Sequence, residues 1–330
     1  MVVDEAVGEG MGQMRIALLG PADDGQILAV ARALARRGVE VPVVPSDALE
    51  MHRPVELGEE GHLVIDGQRL DALRAVYVRS LPSPHPPLVE AGGEWVLRRD
   101  WFAGYMQARE RTGFLMAALL CLEVAGVRLV NPPQAGAALQ SKPLQLQRLR
   151  RIGAPLPRTL ISNDPERIRA FHAAEVGAGG EVIFKPLLGG ATTRLLDGAV
   201  LEQLEAVRAA PVIFQQRIRG DDIRVVLVGD TLVSAVAIRT PEPHLDFRED
   251  PVYRSGEASY EPVGLPVPVE QWCRQAAAAC GLVFAGIDLK RTASGEWLFL
   301  ELNSSPVYLD VECKLGHPIS ESLAALLIGS

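Results

Sequence analysis

The feature that most constrains this chain lies near its end. Two apolar runs, Val283–Arg291 (VFAGIDLKR) and Trp297–Asn303 (WLFLELN), flank Ser294-Gly295 and read as an antiparallel hairpin. A two-residue turn at Ser294-Gly295 sets Ala293 opposite Glu296, and so sets Asp288 opposite Glu301. Facing Cβ atoms in such a pair are about 5 Å apart. Asn303 lies two residues beyond Glu301 and shares its face. The neighbours Ile287, Leu289, Phe299, Leu300 and Leu302 are apolar, which argues against the competing reading of a solvated acidic face. Two unpaired carboxylates at that spacing repel, and a cation between them is the natural compensation. Oxygen donors suit Mg²⁺, with Mn²⁺ as an alternative; Mg²⁺ keeps several waters and bridges substrate phosphates.

Groups suited to phosphate lie upstream. Lys185 ends an apolar strand, VIFK, before the loop PLLGGATTR, whose Gly189, Gly190, Thr192 and Thr193 can cradle phosphate with backbone N–H groups. Lys142 stands in the first turn of a helix that Ser141 can cap. The bland reading of both is a surface lysine. No Walker A sequence, G-x-x-x-x-G-K-[ST], occurs. In FQQRIRGDDIR, the strand Val212–Ile218 offers backbone groups to an adenine edge, and Asp221 and Asp222 can meet a ribose or hold an arginine. A hairpin turning at Gly229-Asp230 sets Arg224 opposite Ala235, with Arg239 four residues further along that same face. Two arginines aimed one way suit a phosphate or carboxylate clamp, or else a salt-bridged sheet edge.

The N-terminal part predicts a parallel α/β sheet. Arg15–Gly20 reads as a strand, Gln26–Arg37 as a helix closed by Gly38, and Val39–Val44 as a strand weakened by Pro42. Further strands are expected at Ala75–Arg79 and Val127–Asn131, a Pro-rich loop over 80–87 and a long helix at Gln107–Ala125. A dinucleotide-binding dehydrogenase is disfavoured, because only Gly20 follows the first strand where a G-x-G-x-x-G turn belongs. The break at Asn131-Pro132-Pro133 divides the chain into a tail (1–14), an α/β unit (15–130) and a second unit (131–330). The tail is acidic and Gly-rich, reads as mobile, and leaves Met11 or Met14 as alternative starts. At 330 residues the chain can bury full cores without staples.

A formal charge of −8, from 33 basic and 41 acidic side chains, argues against a dedicated nucleic-acid binder. No apolar run reaches the ~18 residues of a membrane span; the longest, Phe114–Val124, is broken by Glu123. No signal peptide is evident, and the four cysteines form no C-x-x-C pair. A cytoplasmic protein with free thiols is the expectation.

Taken in order, these residues resemble the ATP-grasp superfamily, in particular the RimK-like carboxylate–amine ligases, from about Asn131 to the C-terminus. The carrying blocks are SKPLQLQRLRRIGAPLPRTL, VIFKPLLGG, VIFQQRIRGDDIRVVLVGD and FAGIDLKRTASGEWLFLELNSSP. The resemblance implies a pre-ATP-grasp α/β domain followed by two lobes, a lid at about 155–212 and a metal-binding lobe at about 213–330. It maps the metal motif onto Asp288, Glu301 and Asn303, and the phosphate lysines onto Lys142 and Lys185. It maps the adenine hinge onto Gln215, Gln216, Arg217 and Ile218, and the Asp-x-Arg motif onto Asp222 and Arg224. Gln216 stands where the family usually carries Glu, and the GGATTR loop is poorer in glycine than usual.

The implied chemistry is ATP-dependent carboxylate activation through an acyl phosphate, with Arg224 or Arg239 stabilising the oxyanion and a Gly-rich lid around Gly189 excluding water. Arg248, in DFR, is a candidate for the substrate carboxylate, against an ordinary exposed loop arginine. TLISNDPERIRAF, HLDFRED and LGHPISESLAALL resemble the graspetide (microviridin-type) ligases, which form side-chain esters or amides within a precursor peptide. Asn303-Ser304-Ser305-Pro306 is nearer the amino-acid and glutamate ligases. The substrate therefore stays open between an amino acid and a peptide. A non-catalytic ATP-binding scaffold is a further alternative, against which the retained metal motif counts. The resemblance also implies a homo-oligomer.

Overall fold

The computed structural model describes residues 15–329, except 47–51, 60–61, 71–72, 82–88, 92–93, 97–99, 189–191, 241–244 and 246. The N-terminal tail, nearly all of the Pro-rich loop and the Gly189-Gly190 lid lie outside the described residues. So do His244 and Asp246 of HLDFRED. The chain divides into two compact units, Met1–Pro133 with Leu323–Ser330, and Gln134–Ser322.

The first unit carries the parallel α/β sheet, in the order Val43–Val44, Arg15–Leu19, Leu73–Val78, Arg128–Val130. Helix Gly25–Arg36 is capped by Asp24, whose carboxylate accepts from the Gln26 and Ile27 N–H groups at 2.8 and 3.1 Å. The second strand is shorter than the expected Val39–Val44. Pro42 brings no N–H to the ladder, and only its carbonyl is used, by the Leu18 N–H at 3.1 Å. Helix Trp101–Val124 begins six residues before the expected one and packs Leu115, Ala118, Leu119 and Leu122 into the core of this unit. A small antiparallel sheet, Val55–Leu57, Leu63–Ile65 and Gln68–Leu70, was not anticipated, although Asp66-Gly67 is a hairpin turn signal; Gly67 has φ +75°.

The second unit holds two antiparallel sheets. The smaller has the order Thr159–Ser162, Val212–Gln216, Val182–Lys185, Arg194–Leu195, and helix Pro165–Gly177 covers it through Ile168. The larger has the order Ser259–Pro262, Thr231–Arg239, Asp221–Val228, Phe284–Arg291, Trp297–Asn303. Helix Val267–Ala279 packs Val269, Cys273, Ala276 and Ala277 on its apolar side. That spacing is a helical stripe passed over in the sequence, where Pro266 and Pro268 mark only the start. Gln216 runs directly through 217–220 into the larger sheet, so this connector joins the two. Gly220 has φ +147°, and a Cβ there would stand 2.2 Å from the Arg291 carbonyl oxygen, so only glycine fits.

Two hairpins depart from their expected turns. Gly229-Asp230 is indeed a two-residue turn, with Val228 opposite Thr231. A bulge at Val233 then moves the register by one, so Arg224 faces Val236 rather than Ala235. The last hairpin does not turn at Ser294-Gly295 alone. Thr292 and Glu296 close a three-residue loop in which Gly295 has φ +85°. This shifts the pairing by one, and a second bulge at Leu300 shifts it back. Asp288 therefore does face Glu301.

Candidate active site

The site is built on the middle strands of the larger sheet. Arg224 and Asp288 are cross-strand neighbours, as are Asp288 and Glu301. Arg224 grips Asp288 with two hydrogen bonds, Nε to Oδ1 at 2.7 Å and an Nη to Oδ2 at 3.2 Å, both partners being buried. Asp288 holds Arg224 protonated: burial alone would lower the guanidinium pKa, and the carboxylate raises it above the ordinary value. The Arg224 guanidinium also lies 5.6 Å from the Phe247 ring centroid, and that of Arg248 lies 5.9 Å from it.

Lys142 arrives from helix Lys142–Arg151 and reaches Glu301 at 2.7 Å. The helix is fixed by Gln145, which is buried and pairs both ways with the Leu302 backbone at 3.1 Å. Ser141 stands at the N-cap position, but its side chain makes no capping bond. Burial would push the Glu301 carboxyl up; Lys142, then Lys185 and Arg248, overcome this and hold it down at about 2. Arg248 is 3.7 Å from Glu301. Asn303 places its amide 3.5 Å from Asp288. Gly286 lets the chain after Asn303 return close by, since a Cβ there would meet the Pro306 Cβ at 2.4 Å.

A cavity of about 340 Å³ connects these groups to the inter-sheet connector. Lys185, Thr193, Gln215, Gln216, Arg217, Ile218, Asp222, Asp288 and Glu301 line it, with Ile183, Leu289 and Leu300 as apolar walls. The structure thus brings together the expected lysine of the smaller sheet, the connector and both carboxylates. Several side chains are already engaged. Gln215 is buried and donates to Thr159 Oγ1 at 2.9 Å. Gln216 Oε1 accepts from the Arg158 N–H at 3.4 Å, and Arg217 pairs with Glu181 at 3.0 Å. Asp222 holds a lysine, Lys290, at 2.8 Å. The sequence missed Lys290, although a strand pairing of Asp222 with Lys290 carries it. It also missed Phe247.

Arg239 is a correction. With Arg224 opposite Val236, three residues from Arg239, the two arginines project from opposite faces of the sheet. Arg239 instead bonds Asp221 at 2.6 Å and Glu261 at 2.8 Å. Arg291 joins it on Asp221, also at 2.6 Å, and the two hold that carboxyl below its usual range. The salt-bridged edge is the reading that holds for Arg239.

Among the described residues, no three His, Cys, Asp or Glu side chains are grouped to hold a metal. Two facing carboxylates and one amide remain; Arg224 orients Asp288 through two hydrogen bonds, and Lys142, Lys185 and Arg248 hold Glu301 ionised. That all-oxygen donor set fits Mg²⁺, which takes one or two carboxylates and completes its shell with water and phosphate. None of the described helices is long and apolar enough to cross a membrane.

Comparison with known proteins agrees with this geometry. The model of the RimK-like ATP-grasp domain matches residues 140–327. A probable alpha-L-glutamate ligase of Alkalilimnicola ehrlichii is 30% identical over 285 residues, covering 83% of this chain and 90% of that protein. Another, from Shewanella amazonensis, is 32% identical over 211 residues, 61% of this chain and 67% of the relative. The ATP-grasp ligase PsnB, solved with a minimal precursor, superposes with a TM-score of 0.82 at 35% identity, covering 96% of this chain and 99% of PsnB. The macrocyclase MdnC from Microcystis aeruginosa, bound with precursor peptide MdnA, shares the fold at a TM-score of 0.76 and 21% identity, over 96% of this chain and all of MdnC. The family model covers more than half of the chain, and the Alkalilimnicola relative runs along most of both sequences. The chain therefore belongs to the RimK-like ATP-grasp family and is an ADP-forming carboxylate–amine ligase that uses ATP and Mg²⁺.

Proposed function

We propose that this ligase acts on a peptide, activating an Asp or Glu side chain and joining it to an amine or hydroxyl of the same peptide. The observation that carries this reading is the similarity to PsnB, 35% identity along 96% of the chain, which includes the N-terminal unit. The glutamate ligases reach 29–32% over smaller shares of the chain. PsnB is solved with its precursor peptide.

In this reading ATP occupies the 340 Å³ cavity, its base against the connector Gln215–Ile218 and its phosphates toward Lys185 and the Glu301 carboxylate that Lys142 holds. The connector recognises the adenine edge with backbone groups, because the Gln215 and Arg217 side chains are already committed. Asp222 faces the same cavity and is the candidate ribose partner. Asp288, Glu301 and Asn303 would hold Mg²⁺, which supplies charge neutralisation at the phosphates. A carboxylate oxygen of the donor attacks the γ-phosphorus, the bond to the bridging oxygen breaks, and ADP leaves. Catalysis of such a transfer is mainly positioning and electrostatics. The nucleophile then attacks the acyl carbon, the bond to phosphate breaks, and the released phosphate carries away the proton. Arg224, positively charged at all working pH values, stabilises the oxyanion in this second step.

The test is incubation with ATP, Mg²⁺ and synthetic peptides that combine Thr or Lys with Asp or Glu, with ADP and peptide mass followed together. The expected result is one water lost from the peptide per ADP formed. Asn303-Ser304-Ser305-Pro306 favours a second reading, addition of free glutamate to an acceptor, which would appear as a mass gain.

A further inference from the structure

A second cavity of about 220 Å³ lies in the larger sheet's lobe, and Ile238 lines both it and the first cavity. Asp288 lines the nucleotide cavity and Arg224 lines this one, and the two side chains are bonded at 2.7 Å. Its volume is below the ~300 Å³ at which pockets for whole small molecules begin, so it suits one side chain rather than a second nucleotide. Ile238 and Val307 give it apolar walls.

The polar lining holds two guanidinium groups, and Asp288 already matches the charge of one of them, Arg224. Arg224 and Arg254 stand against a single carboxylate, Asp310. Asp310 is already neutralised from behind by Lys314 at 3.2 Å and by a hydrogen bond from the Tyr260 hydroxyl. Lys314 is itself fixed by the carbonyls of Gly256 and Ala258, both at 2.6 Å. Burial and Asp310 push the Tyr260 pKa far up, so its hydroxyl stays neutral. Arg254 donates its Nε–H to the Arg248 carbonyl at 2.9 Å, and among the described residues no carboxylate forms an ion pair with it. A guanidinium anchored at one nitrogen, with no anionic partner and facing a side-chain-sized hole, is a receptor for a carboxylate.

We infer that this cavity seats the acyl-donor side chain, an aspartate or glutamate carboxylate, and that Arg254 recognises it. The inference rests on the peptide reading proposed above and adds the donor's place to it. A carboxylate held by Arg254 has its stem against Ile238 and Val307 and its head beside Arg224, next to the groups proposed for the metal and the γ-phosphate.

The test is calorimetric titration of the full chain, with ADP and Mg²⁺ present, with N-acetyl-glutamyl amide, N-acetyl-aspartyl amide and the neutral N-acetyl-glutaminyl amide. An acidic probe should bind, and the neutral one should bind at least about tenfold more weakly. Arg254→Gln should weaken the acidic probe by about tenfold or more while leaving ADP affinity unchanged. Val307→Trp should do the same by filling the cavity without touching its charge. Failure of the wild type to bind either acidic probe overturns the inference. So does an affinity within about twofold of wild type in both variants, with unfolding midpoints confirming that they are folded. Failure of the peptide reading shows separately, in the mass assay, as ADP formed with no water lost from the peptide.

Discussion

The two hairpins of the larger sheet were read from sequence by the same rule and ended differently. In each, a Gly-containing pair was taken as a two-residue turn and the facing residues followed. In the hairpin around Gly229-Asp230 the turn was right, but the bulge at Val233 sent Arg239 to the opposite face from Arg224. In the last hairpin the turn was wrong by one residue, and the bulge at Leu300 restored the pairing of Asp288 with Glu301. A side-chain period of two makes every one-residue shift a change of face. Turn residues announce a hairpin, whereas a bulge inside an apolar strand leaves no mark in composition. The arginine that stayed on the site face is buried against Asp288; the one that changed face became part of an exposed ion-pair cluster.

The largest effect expected from this contrast is at the pairing that survived. Glu301→Ala should lower ADP formation by ~10³-fold, because a carboxylate that would hold Mg²⁺ at the phosphates is lost. Denaturant unfolding of the same variant checks that it is folded. Next comes the arginine pair. Arg224→Ala should cost ~3–5 kcal/mol of stability, because Asp288 is left buried without its partner, and should lower turnover by ~10²-fold or more. Arg239→Ala should cost within ~1 kcal/mol, since its side chain is 37% exposed among other charges, and should leave turnover within ~2-fold. Denaturant unfolding and steady-state rates measure both. Equal losses in the two variants would break the comparison.

Two glycines sharpen it further. Gly286→Ala should destabilise by ~1–3 kcal/mol, because the new methyl overlaps Pro306 at a backbone that cannot retreat. Gly295→Ala meets no atom within 4 Å, so its cost is conformational only, ~1 kcal/mol at φ +85°. The pH dependence of Glu301 probes the surviving pairing without a change of shape. Its carboxyl is held at about 2 against an ordinary 4.5, so it contributes stability fully above about 4.5 and loses it as pH falls toward 2. Glu301→Gln should flatten the acid side of the stability curve in that window.

Much of the fold was legible because its signals are local. The apolar side of helix Gly25–Arg36, the glycine after it and the apolar strands each reside in a few neighbouring residues, whereas the Asp24 cap is a local signal the sequence reading omits. Helix Val267–Ala279 and the hairpin at Asp66-Gly67 carried comparable signals that were passed over. The site was legible where two residues share a hairpin, as Asp288 and Glu301 do. It was not legible where partners are far apart in sequence: Lys142 with Glu301, Asp222 with Lys290, and Arg224 over Phe247. Those pairings depend on how the strands and the Lys142 helix are brought together, which no local pattern states.

The central claim is that the Asp288–Glu301 face drives condensation within a peptide. Mass spectrometry of a Thr-, Lys-, Asp- and Glu-containing peptide after incubation with the enzyme, ATP and Mg²⁺ tests it most directly. The account predicts loss of one water for each ADP formed, abolished in Glu301→Ala. ADP formed with the peptide mass unchanged, or raised by added glutamate, would contradict it.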